Sequence, residues 1–186
     1  MTNNYSTILN CIKTKAVAAV GGANIDCADL ALQSLAQCCE AENVKLSMEV
    51  YNSATNVYIR LKRSDYPTLD AYISDLKNKM GAISLFDQNK ITKKKHLSEL
   101  VNGELILYHL PGNAPSYTGH TMIVTAHNKT TKTVVVAEGH IGEGAEGIPT
   151  EGTYTYAELQ DKFSDKPNAK FEGGREWNWS NIVIST

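Results

Sequence analysis

Cys27 opens a helical run, Asn24-Ile25-Asp26-Cys27-Ala28-Asp29-Leu30-Ala31, and two later strand-like stretches carry a histidine and a carboxylate. These stretches are Gly119-His120-Thr121-Met122-Ile123-Val124 and Val134-Val135-Val136-Ala137-Glu138-Gly139-His140. A thiol is mostly protonated at neutral pH, so a nucleophilic cysteine needs a nearby base, the positive end of a helix, or both. Asp26 reads as the N-cap and Cys27 as the first helical residue, where unpaired backbone N–H groups and the helix dipole favour a thiolate. The carboxylates of Asp26 and Asp29 oppose that effect, so a histidine has to make up the difference. The expected chemistry is that of a thiolate hydrolase.

Of the five histidines, His96, His109 and His127 end polar or loop stretches and read as surface or structural groups. His120 starts an apolar strand. Period-two alternation puts His120, Met122 and Val124 on one face, and Val134, Val136, Glu138 and His140 on one face of the next strand. A hairpin loop of Asn128-Lys129-Thr130 sets His120 opposite Glu138, whereas a loop of Lys129-Thr130-Thr131 sets it opposite His140. Either partner lies within about 4.5–5.5 Å between Cβ atoms, close enough to orient an imidazole. Glu138 is favoured, because a carboxylate both fixes the tautomer and stabilises the imidazolium. For the oxyanion of an acyl transfer, the nearest donor is the backbone N–H of Cys27, supplemented by the side-chain amide of Asn24, which equally suits a turn after Gly21-Gly22. Tyr108, on the strand leading toward the site, is a further lining candidate.

The elements that must position these groups follow from periodicity and punctuation. Residues 5–19 have helical spacing (Ile8, Leu9, Ile12, Val17) and stop at Gly21-Gly22, and the Cys27 helix runs to about Glu42. Lys45–Tyr51 and Asn56–Lys62 alternate as an antiparallel pair, and Pro67 opens a helix through Met80 that Gly81 closes. Three strands follow, Glu104–Leu110, His120–His127 and Lys132–His140, then a short helix over Tyr156–Phe163 and a strand region over Phe171–Ser185. Trp177 and Trp179, one residue apart, are expected on one strand face, in the core. The run Lys90–Lys95 reads as a solvated loop, and Gly142–Gly147 as a rim that lacks the Lys-Ser/Thr of a phosphate loop. The fold class expected is α+β, helices first and then an antiparallel sheet, in a single domain spanning 1–186.

A formal net charge of −2 over 186 residues provides no field to gather nucleic acid or an anionic membrane surface, so neither is expected as a partner. No apolar stretch approaches the roughly 20 residues of a membrane span, and Ala16–Val20 is too short for a signal-peptide core, so synthesis in the cytoplasm is expected. Four cysteines, Cys11, Cys27, Cys38 and Cys39, are expected as free thiols, because a chain of this size does not need crosslinks and carries no secretion signal. Apart from Cys27 they read as small buried apolar residues. No cofactor is expected. A zinc site from Cys27, His120 and His140 lacks the close-spaced ligand pairs such sites usually show.

A cysteine opening a helix, Gly103-Glu104 before a strand, Gly119-His120 starting a strand and Glu138 ending the next resembles the CHAP amidases and the broader NlpC-type papain-like fold, over roughly residues 24–140. The resemblance implies a papain-like core and a Cys-His-polar group that cleaves amide bonds in bacterial cell-wall peptides. Cys27 then looks like the nucleophile, His120 the general base and Glu138 the orienting residue, while His140 falls near a position where CHAP relatives often carry Asn. Gly103-Glu104 stands where relatives usually show Gly-Asp, and Asp-Cys-Ala-Asp replaces the commoner Asp-Cys-Ser-Gly. A small papain-like chain without a leader also resembles the toxins injected by type VI secretion. That implies delivery to the periplasm of target bacteria, a peptidoglycan peptide as substrate, and a secretion-apparatus carrier and a cognate immunity protein as partners. Two alternatives stay open: a transacylase, deamidase or protease acting on a cytosolic protein, and a catalytically inactive binding module in which Cys27 is simply buried.

Overall fold

Gly21, at φ 74°, breaks the chain between helix α1 (Tyr5–Ala19) and helix α2 (Cys27–Ala41). The structure, a computed structural model, describes residues 5–52, 55–86, 90–110, 119–139, 147–166 and 168–184. Asp26 caps α2 as expected, its side chain accepting from the N–H groups of Ala28 (2.8 Å) and Asp29 (3.4 Å). Ile8, Ile12 and Ala16 form the buried stripe of α1, one helical turn apart.

The expected pair of strands is present as β1 (Lys45–Asn52) and β2 (Val57–Lys62), and a 3₁₀ turn leads to helix α3 (Leu69–Lys79), capped by Thr68 rather than opened at Pro67. Helix α4 (Ala82–Phe86) and strand β3 (Thr92–Lys95) come next, then β4 (Leu105–His109), β5 (His120–Asn128), β6 (Thr133–Glu138) and β7 (Thr150–Thr155). Helix α5 (Tyr156–Asp161), strand β8 (Lys170–Trp177), helix α6 (Trp179–Ile182) and strand β9 (Val183–Ile184) complete the order. The strands make two antiparallel sheets, β2-β1-β9 and β3-β8-β4-β5-β6-β7, so the class is α+β. No helix among the described residues is long and apolar enough to cross a membrane.

Alternation along the larger sheet sorts its side chains between two apolar clusters. Leu105, Leu107, Ile123 and Ala137 pack with α1 and α2, whereas Ile106, Tyr108, Met122, Val124, Val134 and Val136 pack with Leu159 of α5 and with Phe163.

Four expectations are corrected. Cys11 and Cys38 form a disulfide joining α1 to α2, with Cα atoms 5.7 Å apart, and only Cys27 and Cys39 are free among the four. Chain size bears on whether a crosslink is needed; helix packing decides whether two thiols meet. The lysine run is not wholly loop, since Thr92–Lys95 is an edge strand on β8, where lysines discourage pairing with another chain. Trp177 and Trp179 do not share a strand face: Trp177 ends β8 in the core, while Trp179 begins α6 and stacks on Tyr5 with ring centroids 4.7 Å apart. Finally, Met122, not His120, is the direct partner of Glu138. The β5–β6 turn contains four residues, Lys129 to Lys132, and Thr125 is an extra residue in β5, so neither expected loop sets the register.

Candidate active site

His120 and Glu138 meet despite that register. Near the start of β5 the pairing matches the alternative in which His120 faces position 140, so Glu138 is the diagonal neighbour, on the same face and long enough to reach. His120 Nε2 lies 2.8 Å from Glu138 Oε2, and both side chains are buried. His140 lies outside the described residues, as does Gly142–Ala145-Glu146 of the expected rim; Gly147 forms an antiparallel bridge with Ile25.

Three further groups enclose this pair, and spacing along the chain signals none of them. Tyr154 of β7 donates from its hydroxyl to Glu138 Oε1 (3.0 Å). Lys162, just past α5, places Nζ 3.1 Å from the same oxygen and 2.6 Å from the Tyr154 hydroxyl. Phe163 sets its ring edge-on to His120, with centroids 5.7 Å apart. Tyr108, the expected lining residue, is the direct strand partner of His120, but its hydroxyl donates to the Leu159 carbonyl (2.6 Å) and is not offered to a substrate.

Burial holds His120 below the ordinary imidazole range, opposed by the hydrogen bond and charge of Glu138 and assisted by the Lys162 charge. For Glu138, burial alone pushes upward, and His120 and Lys162 together bring the carboxyl below its ordinary range. A neutral His120 lends Glu138 no charge, so the consistent state near neutrality is an ionised Glu138 facing a neutral imidazole, with Lys162 as the neighbouring cation.

Cys27 is built into the helix side of the same sheet. It is 5% exposed and belongs to the cluster that contains Ile123 and Ala137. Gly139 lies directly on the chain here: a Cβ at that position would stand 2.7 Å from the Cys27 backbone nitrogen and 2.7 Å from the Asp26 carbonyl carbon. Burial, then the Asp26 carboxylate, raises the thiol to about 12, against backbone N–H groups of Thr121, Ala28 and Cys27 itself. The helix-start advantage is real in direction and too small to win.

The structure thus brings His120 to Glu138 but does not join Cys27 to His120. The ring of His120 turns toward Tyr108 and Phe163, on the face away from α2, and its Nδ1 has no hydrogen-bond partner among the described residues. The adjacent Thr121 Oγ1 is likewise buried and unpartnered among them. These two atoms, on successive residues at the start of one strand and on opposite faces of the sheet, are each kept polar at a cost to stability. Asn24, the other oxyanion candidate, is exposed. Among the described residues, no group of three or more His, Cys, Asp or Glu side chains is placed to hold a metal ion, the Cys27–His120 combination included. No family model, curated protein or solved structure matches this chain.

Proposed function

We propose that the chain is a papain-like thiol amidohydrolase acting on the peptides of bacterial peptidoglycan. The observation that carries the reading is the buried, unpartnered Nδ1 of His120, with Nε2 already held by Glu138, on the strand whose next residue, Thr121, offers its backbone N–H to the Cys27 sulfur. In the reaction, His120 Nδ1 takes the proton of Cys27, Sγ attacks the amide carbonyl, and the proton passes to the leaving amine. Water then hydrolyses the thioester and regenerates the thiol. His120 and Cys27 face opposite sides of the sheet at rest, so the reading requires the start of β5 to rotate and bring them together as substrate enters. The Cys11–Cys38 disulfide favours an oxidising compartment such as the periplasm over action on a cytosolic protein. Delivery by a specialised secretion system, with a carrier and an immunity protein, belongs to the same proposal.

Mass spectrometry of muropeptides after incubation with wild type and Cys27→Ala tests it. New peptide fragments with wild type alone are expected, and identical fragment patterns would remove the idea.

The burial of Cys27 and its thiol near 12 favour a second reading, an inactive binding module in which the cysteine is core. Iodoacetamide labelling of Cys27 separates the two. Acceleration by peptidoglycan fragments belongs to the enzyme, and slow labelling with and without them belongs to the module.

A further inference from the structure

We propose that Lys162 is a positioning residue: its ammonium orients the Glu138 carboxylate that accepts from Nε2 of His120, and as the cation beside that pair it opposes a second positive charge on the imidazole, leaving Nδ1 open. The geometry is specific. Glu138 Oε2 meets His120, while Oε1 receives both Lys162 Nζ at 3.1 Å and the Tyr154 hydroxyl at 3.0 Å. Lys162 is itself held, with Nζ 2.6 Å from the Tyr154 hydroxyl and 4.2 Å from the centre of that ring. Both oxygens of a buried carboxylate are therefore satisfied in one orientation, which fixes Nε2 of His120 on Oε2.

The charged and titratable groups around His120 come from every neighbouring element. They are Glu138 on β6, Tyr154 on β7, Lys162 after α5, Tyr108 on β4, and Asp26 and Cys27 at the start of α2. Lys162 is the cation of this set. Its charge acts on His120 by direct repulsion of an imidazolium, and on Glu138 by stabilising the anion that accepts from the imidazole. Both oxygens of Glu138 would still find donors without it, so the missing ingredient would be charge rather than hydrogen bonding.

The catalytic consequence rests on the amidohydrolase reading; the titration of His120 does not. Nitrogen-edited NMR of the His120 imidazole, followed across pH in the full chain, therefore tests the inference even where no substrate is cleaved. Lys162→Met and the milder Lys162→Gln, which keeps the stem and a donor, are expected to raise the imidazole midpoint by about half to one pH unit. Lys162→Arg, which preserves charge, is expected to keep the wild-type midpoint. A neutral variant that folds and titrates with wild type overturns the proposal, because a purely structural lysine would lower stability and leave the imidazole where it was. Absence of muropeptide cleavage by wild type, with the midpoints still shifted, would instead count against the amidohydrolase reading alone.

Discussion

The backbone of Gly139 rests on the first residue of the Cys27 helix, with 2.7 Å between the place of a missing side chain and the Cys27 nitrogen. This contact seats the end of β6, which carries Glu138, against the N-cap of α2. Gly139→Ala is expected to destabilise the protein by about 1–3 kcal/mol, the usual range for overpacking against backbone that cannot yield. Gly81, which has nothing within 4 Å of its would-be Cβ, is the matched control, and Gly81→Ala should be close to neutral. Urea denaturation of both variants checks this; equal midpoints would mean that the contact carries no strain.

On the acid side, His120 sits below its ordinary value of 6.5 in the folded chain. The unfolded chain then binds the extra proton first, so this stability is present above pH 6.5 and is lost as pH falls below it. Glu138, also lowered, adds a second loss below its ordinary value of 4.5. Unfolding midpoints in urea should drop between pH 7.5 and 5.5 in wild type and much less in His120→Gln. A wild-type midpoint that is flat over that interval contradicts the assignment.

On the alkaline side the sign reverses. Cys27 and Cys39 are both raised from 9.0 to about 12 by burial, so the folded chain keeps two thiol protons that the unfolded chain releases. Stability is therefore complete below pH 9 and is lost above it, at a rate approaching roughly 2–3 kcal/mol per pH unit for two protons. Replacing both residues by alanine should flatten the decline between pH 9 and 10 while lowering stability at neutrality. The same steepness in the double variant would place the titration elsewhere.

The Cys11–Cys38 crosslink closes a sequence separation of 27 residues. On the chain-entropy account, that closure stabilises by about 3–4 kcal/mol, or roughly 8–15 °C in melting temperature for a chain of this length. Cys11→Ser, whose side chain is half-buried, should reproduce the effect of a reductant, and reductant should then do nothing further. A melting temperature unchanged by dithiothreitol in wild type would rule out the crosslink.

Much of the architecture is legible along the chain. Both N-terminal helices begin and end within a residue or so of where spacing, Gly21-Gly22 and Asp26 put them, and β1, β2, β4, β5, β6 and α5 occupy the expected stretches. Strands β3 and β7 escape notice because Thr92–Lys95 is lysine-rich and Thr150–Thr155 is a polar edge with little alternation, signals that also belong to loops. The pairing of His120 with Glu138 is legible too, since one carboxylate on the same face of the neighbouring strand is reachable under more than one register.

Local preferences thus determined where elements start and stop, because caps, glycines and side-chain period act within a few residues. Tertiary structure decided what the decisive groups touch. A four-residue turn and a bulge at Thr125 together moved the partner of Glu138 by two positions, packing of α1 on α2 closed a disulfide, and the end of α5 delivered Lys162 to Glu138. It also turned the imidazole of His120 to one face while Cys27 packed with the other, because adjacent residues on a strand point to opposite sides and the sulfur lies with Thr121 rather than with the ring one residue before it.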